Sequence, residues 1–389
     1  VEVFIVSASR TPIGKYGRSL SSVPAKKLGA AAVKDALLRA KLETKDVNEV
    51  IVGNAIEAGL GQNPARQVAV ESGFSYDIAA FTVNMVCGSS LKAAMLAVQS
   101  IRAGDSRIVV AAGIESMSGA PYFVRGARFG LKYNNTIFYD AMVNDGLWDA
   151  FYDVHMIQTG EVIARKYGLT REEIDEFAYE SHMKAHAASA GGRFRREIVP
   201  IQTEGGMIDT DECIRPDTTI ERLSKLQPVL PGGSFVTAGN ASQLSDGGSA
   251  AVLAAEEEVK KRRLEPMAKV ITYNTVGVDP FYVMEAPIPG VKQLLERAGM
   301  SLSKIGLFEH NEAYASASVA VRKALGIEPD RFNIHGGAVA LGHPLGASGV
   351  RVLTTLLYNL RERNEKYGVA TICLGGGNAV SMLIENMMV

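Results

Sequence analysis

The chain has 389 residues, of which 47% are hydrophobic and 21% charged, and its formal net charge is −1. That length accommodates two or three domains of ordinary size in a globular protein. With no global positive field and no stretch apolar enough to span a bilayer, neither nucleic acid nor a membrane is an expected partner.

An anionic ligand would instead be held by local charges or by helix N-termini. The first residues lack the basic-then-apolar layout of a secretion signal, and the last carry no prenylation or peroxisomal tripeptide. Three cysteines, none in a Cys-x-x-Cys pair, make no disulfide framework. The expected setting is a reducing, cytoplasmic compartment with free thiols.

In chain order, the apolar run at residues 3–7 predicts a strand and the amphipathic stretch at 28–40 a helix. A second strand is expected at 49–53. Cys87 then falls where an apolar strand ends, between Val83-Asn84-Met85-Val86 and Gly88-Ser89-Ser90, ahead of a helix at 90–102. A sulfur at a helix N-terminus meets unsatisfied N–H groups and the macrodipole, which favour a thiolate over an ordinary thiol of pKa about 8.5. The same donors would hold an oxyanion beside the sulfur. The plainer reading is a cysteine packed under a helix start.

A strand at 107–112 follows, and then a segment, 118–244, of different character. It holds the only Trp (Trp148), charge-dense helical sequence at 170–188 and a turn-rich stretch at 205–219. Some 127 residues without structure would be anomalous in a compact protein, so the segment reads as an inserted domain. Within it His182 and His186 have the spacing of helical metal ligands, but Met-Lys-Ala between them supplies no carboxylate, and a solvated helix face is expected rather than a metal.

Strands at 268–274 and 304–309 come next, the second leading into Asn311-Glu312-Ala313. His343 lies in the glycine-rich run from Gly336 to Gly349, with Pro344 fixing the backbone after it; a histidine buried there suits a base or an oxyanion donor. A helix at 349–361 leads to a strand at 368–374 that ends on Cys373, followed by Gly375-Gly376-Gly377. A triglycine after a buried strand exposes N–H groups to a ligand.

The alternation predicts βα units around a largely parallel sheet. It also repeats. Leu37-Leu38-Arg39-Ala40 and Leu294-Leu295-Glu296-Arg297-Ala298 each lead into a strand and an asparagine, and at the same offset of about 258 residues Cys87-Gly88-Ser89-Ser90 falls on Leu345-Gly346-Ala347-Ser348. Two coincidences at one offset indicate duplicated halves, whose pseudo-symmetry would bring the two helix starts together. Cys87, Asn311, His343 and Cys373 all lie just past or near strand ends, where open α/β sheets place ligands. No Walker loop and no strand-linked Gly-x-Gly-x-x-Gly unit supports an NTPase or dinucleotide enzyme.

Together, Asn84-x-x-Cys87-Gly88-Ser89, Asn311-Glu312-Ala313-Tyr314, Gly342-His343-Pro344-x-Gly346 and Cys373-x-Gly375-Gly376-Gly377 resemble the four active-site motifs of the thiolase family, in order and from end to end of the chain. The resemblance implies an α/β thiolase fold, a duplicated five-layered α-β-α-β-α core with an inserted loop domain. The halves would be residues 1–117 plus 245–265 and residues 266–389, with 118–244 as the CoA-binding loop domain. It implies that Cys87 is acylated, His343 activates it, and Cys373 moves the proton at the substrate α-carbon. Asn311 would hold a water that stabilises the enolate with His343, and the N–H groups of Cys87 and Gly375 would form a second oxyanion hole.

Leu147, His155, Met156, Arg215 and Ser242 match positions along the CoA or pantetheine path, and Met284 and Tyr314 positions beside the acyl group. The chain departs from the family pattern at Ile157, Leu230 and Tyr314 and in the final Gly-Gly-Gly-Asn-Ala run, which bears on acyl-chain preference. The implied activity is condensation of two acetyl-CoA to acetoacetyl-CoA and CoA, and its reverse. A 3-ketoacyl-CoA thiolase of broader chain length is the alternative, and a CoA-binding scaffold without turnover an alternative of another class. CoA thioesters would be substrates, with no separate cofactor and no metal, and the assembly a homotetramer or homodimer.

Overall fold

In the computed structural model, which describes residues 1–133 and 135–388, β1 (Val3–Arg10) is buried at every position. So are β5 (Ser245–Ala255) and all but the last residue of β4 (Ile108–Ser116). Strands buried on both faces need cover on both faces, and this sets the architecture. β2 (Glu49–Gly53) and β3 (Ala79–Val83) complete the first half-sheet, in the order β3-β2-β4-β5-β1. β6 (Ala268–Gly277), β7 (Leu307–His310), β8 (Tyr367–Leu374) and β9 (Asn378–Asn386) make the second, in the order β7-β8-β9-β6.

The two half-sheets share one pairing scheme. β1–β5 and β5–β4 are antiparallel and β4–β2 parallel; β6–β9 and β9–β8 are antiparallel and β8–β7 parallel. They meet where β1 and β6 exchange the pairs Phe4↔Lys269 and Ile5↔Ala268. The largely parallel sheet expected from the sequence is therefore mixed. The returning strands β5 and β9 run antiparallel to their neighbours, and the alanine- and glycine-rich β5 is held as a strand by burial rather than by β-propensity. The expected strand at 304–309 begins at Leu307, because Leu302–Lys304 form a 3₁₀ turn.

Helices fill the remaining layers. α1 (Ala25–Ala40) and α2 (Pro64–Glu71) cover the outer face of the first half-sheet. α3 (Ser89–Ala103) packs between the half-sheets. Segment 118–244 contributes α4 (Met156–Lys166) and α5 (Arg171–Ala190). α6 (Pro287–Ala298) covers the second half-sheet, α7 (Ala315–Leu325) lies beside it, and α8 (Ser348–Arg363) joins α3 in the middle layer.

The inserted segment has no core to itself. Its Met156, Ile163, Ile174 and Phe177 share one apolar cluster with Val283, Leu294, Phe308 and Tyr314 of the second half. A fully buried Arg10 ties it to β1, pairing with Glu197 at 2.6 Å and Asp211 at 2.7 Å. His182 lies inside this packing at 1% exposure, not on the solvated face expected, and its Nδ1 accepts the Arg215 N–H at 3.1 Å. Burial, and then the Arg215 charge, hold its pKa down at about 4.

Candidate active site

Cys87 sits in a 3₁₀ turn, Val86–Gly88, between β3 and α3. The residue before it, Val86, has φ +46°, a conformation that a β-branched residue adopts at a cost of about 1–3 kcal/mol. Side chains hold the turn: Asn84 Oδ1 accepts the Val86 N–H at 3.0 Å, and Ser89 Oγ accepts from Met85 N at 2.9 Å while donating to Val86 O at 2.7 Å. Gly88 lets the turn pack close to β8, since a Cβ there would lie 2.4 Å from Leu374 Cδ2. The strained turn thus seats Cys87 against the strand end that carries Cys373.

The expected resting thiolate is not what this site favours. Burial raises the Cys87 pKa, and negative charge on Cys373 raises it further, against the pull of the Gly375 and Cys87 backbone N–H groups. Those donors face the sulfur, but desolvation outweighs them. Cys87 rests as a thiol and needs a base.

His343, which lines the same cavity as Cys87, is the candidate. Its backbone N–H is fixed on Gln243 O at 2.9 Å, and its ring is buried. Ser348 Oγ donates to Pro344 O at 2.8 Å, so the 2.6 Å contact between His343 Nδ1 and Ser348 Oγ is made by Nδ1–H. On the other side Arg351 Nη2 donates to Asn311 Oδ1 at 3.3 Å, which turns the Asn311 amide N–H toward His343 Nε2, also at 3.3 Å. The network assigns the tautomer: Nε2 carries the lone pair. Burial, reinforced by the Arg351 charge, lowers the His343 pKa to about 3, so the ring is neutral at neutral pH.

Cys373, at the end of β8, is 2% exposed, and burial pushes its thiol up to about 12. Its Sγ lies 3.8 Å from Met284 Sδ. Cys87, His343, Cys373, Gly375, Met284 and Tyr314 line one cavity of about 470 Å³. Leu147, His155, Met156, Arg215 and Ser242 of segment 118–244 line the same cavity, so the residues the sequence singled out converge. Asn311 alone stands behind the wall, reaching the site through His343. His155 also caps α4, its Nδ1 accepting the Ile157 N–H at 3.1 Å.

Three positions in the site went unread in the sequence. Ser348 and Arg351 lie on the first turn of α8 and set the His343–Asn311 geometry described above. Glu115, fully buried in β4, accepts from Ala55 N, Ile56 N and Gly346 N at 3.1, 3.2 and 2.8 Å. It pins the turns of both halves together, and burial raises its pKa to about 7. A lone carboxylate inside the apolar run Ile108–Ser116 was the available signal.

The thiolase N-terminal domain family matches residues 3–257, and the thiolase C-terminal domain family residues 264–386. The chain belongs to the thiolase family. Acetyl-CoA acetyltransferase of Pseudomonas aeruginosa is 47% identical to this thiolase over 388 residues, covering 98% of this chain and 99% of the relative. That of Rhizobium meliloti is 46% identical, covering 99% of each. The crystal structure of human mitochondrial 3-ketoacyl-CoA thiolase in complex with CoA matches this thiolase with a TM-score of 0.97 at 38% identity, covering 99% of this chain and 98% of that one. Among the described residues no helix of this thiolase is long and apolar enough to cross a membrane.

Proposed function

We propose that this thiolase is an acetyl-CoA C-acetyltransferase, joining two acetyl-CoA into acetoacetyl-CoA and CoA and catalysing the reverse thiolysis. The observation that carries the reading is the single cavity lined by two thiols and a neutral, tautomer-fixed histidine. In the first half-reaction His343 Nε2 takes the Cys87 proton and the sulfur attacks the thioester. The bond to the CoA sulfur breaks, and the CoA thiolate leaves with that proton. The N–H groups of Cys87 and Gly375 receive the oxyanion.

In the second half-reaction His343 Nε2 takes the Cys373 proton, and the Cys373 thiolate removes an α-proton from the second acetyl-CoA. A thiol held near 12 is a strong base once ionised, which suits a carbon acid. Protonated at Nε2 by the Cys373 thiol, His343 donates to the enolate oxygen together with a water held by Asn311. The enolate carbon attacks the acetyl group and expels the Cys87 thiolate, which takes the α-proton from Cys373, and Cys373 recovers its own proton from His343. No proton is gained or lost over that step. CoA thioesters are the substrates and no separate cofactor enters. Arg215, which lines the cavity, would meet the phosphate end of CoA.

We assign the enzyme to the cytoplasm as a homotetramer or homodimer. The three free cysteines and the exposed apolar side chains of residues 122–138 support that assignment. The acetyltransferase names of relatives at 46–47% identity support the acetyl preference. Thiolysis rates with acetoacetyl-CoA and a medium-chain 3-ketoacyl-CoA test it. The expected result is a higher kcat/KM for acetoacetyl-CoA; the reverse order would instead establish the broader 3-ketoacyl-CoA thiolase.

A further inference from the structure

Tyr314 is the residue before α7, and its backbone bridges to Ala241 of the inserted segment. Its ring packs on Gly160 of α4, where a Cβ would come within 3.0 Å of Tyr314 Cγ. Only 8% of the residue is exposed, and it lines the cavity beside Cys87, Cys373 and Met284. Buried phenols ordinarily find a partner. Tyr358 Oη donates to Ala8 O at 3.2 Å and Tyr167 Oη to Glu285 Oε2 at 3.2 Å. Tyr314 Oη has no hydrogen-bond partner among the described residues. Burial, and then charge on Cys87 or Cys373, raises its pKa, so the hydroxyl lies within electrostatic reach of both sulfurs and stays protonated.

A permanent donor inside an apolar acyl pocket is left unsatisfied by an alkyl chain and satisfied by an oxygen. We propose that Tyr314 Oη donates a hydrogen bond to the acyl group itself, so that the enzyme takes short acyl groups with an oxygen at the distal end, hydroxyacyl groups foremost, over alkyl groups of equal length. The inference rests on the thiolase reading of the cavity. It adds a substrate class to that reading, because the hydroxyl serves neither the base, the oxyanion donors nor the α-carbon. The covalent step is unchanged: the acyl carbon exchanges its bond to the CoA sulfur for one to Cys87, and the thiol proton passes through His343 to the released CoA.

Two nearly isosteric pairs test it: hydroxyacetyl-CoA against propionyl-CoA, and 3-hydroxypropionyl-CoA against butyryl-CoA. For each, kcat/KM for exchange with labelled CoA is measured in the wild type and in Tyr314→Phe. The expected outcome is a hydroxyacyl-to-alkyl ratio that falls about tenfold in the variant for at least one pair. A ratio unchanged by the substitution in both pairs, with the hydroxyl serving only cavity water, would overturn the proposal. Because the ratio is read within each protein, a general loss of activity in the variant does not mimic the effect. Acetyl-CoA exchange by the wild type, run alongside, tests the acetyltransferase reading by itself. Exchange of the other acyl groups without acetyl would sink that reading and leave the Tyr314 ratio to stand or fall alone.

Discussion

Two thiols lining one cavity do not have one job, because their surroundings differ. Cys87 sits on a strained turn with two N–H donors aimed at its sulfur, whereas Cys373 ends a core strand with Met284 as its near neighbour. Acyl transfer onto Cys87 needs a base for a thiol; only condensation needs a base for carbon. Cys373→Ala is therefore expected to exchange the acetyl group of acetyl-CoA with labelled CoA. It should fail to exchange the α-hydrogens with deuterium, and should lose condensation by roughly a hundredfold or more. Cys87→Ser should lose the acetyl adduct seen by intact-protein mass spectrometry. Equal damage to CoA exchange in both variants would refute the division of labour. The sequence located both thiols and their histidine. It misjudged the charge state of Cys87, because a helix start is visible in sequence while the desolvation of a closed cavity is not.

At the scale of elements, the site depends on α3 and α8 starting side by side. Ser90 Oγ accepts from Val350 N at 3.0 Å, and Gly349 lies so close to α3 that a Cβ would stand 2.3 Å from Leu91 N. The repeat offset in the sequence foresaw this juxtaposition, since it set Cys87 opposite Leu345, two residues from His343. What it could not supply was how close the helices come. Gly349→Ala must push α8 off α3 and with it Ser348 and Arg351, the residues that orient His343 and Asn311. A destabilisation of about 1–3 kcal/mol, read as a lowered urea midpoint, is expected, together with slower acetyl exchange. Wild-type stability in this variant would show that the contact is slack.

The whole molecule presents apolar surface where the core does not need it. The hairpin Tyr122–Val124 with Phe138–Asp140 and the turn near it leave Tyr122, Phe129, Tyr133 and Phe138 exposed by 65%, 84%, 100% and 67%. At the far edge of the sheet β3 carries Phe81 at 39% exposure. Side chains of this kind gain most from burial against a second copy. Light scattering on the purified chain should give a dimer or tetramer, and Phe129→Asp with Tyr133→Asp should shift it to a smaller species. A monomeric wild type would end the oligomer assignment.

Sequence alone showed the duplication, met again in the shared pairing scheme of the half-sheets, and singled out the motif residues Cys87, His343 and Cys373 that line one cavity. Each is written in local pattern: strand ends, helix starts, glycine spacing and a repeat offset. Tertiary structure decided the rest. The antiparallel return of β5 and β9 follows from closing each half-sheet, although β5 is poor in strand-forming residues. The histidine tautomer follows from Arg351 and Ser348, which the sequence separates from Asn311 and His343 but packing brings against them. The protonation of both thiols follows from burial, which depends on segment 118–244 folding over the strand ends. Desolvation and hydrogen-bond direction belong to arrangements of distant residues, so no single stretch of sequence encodes them.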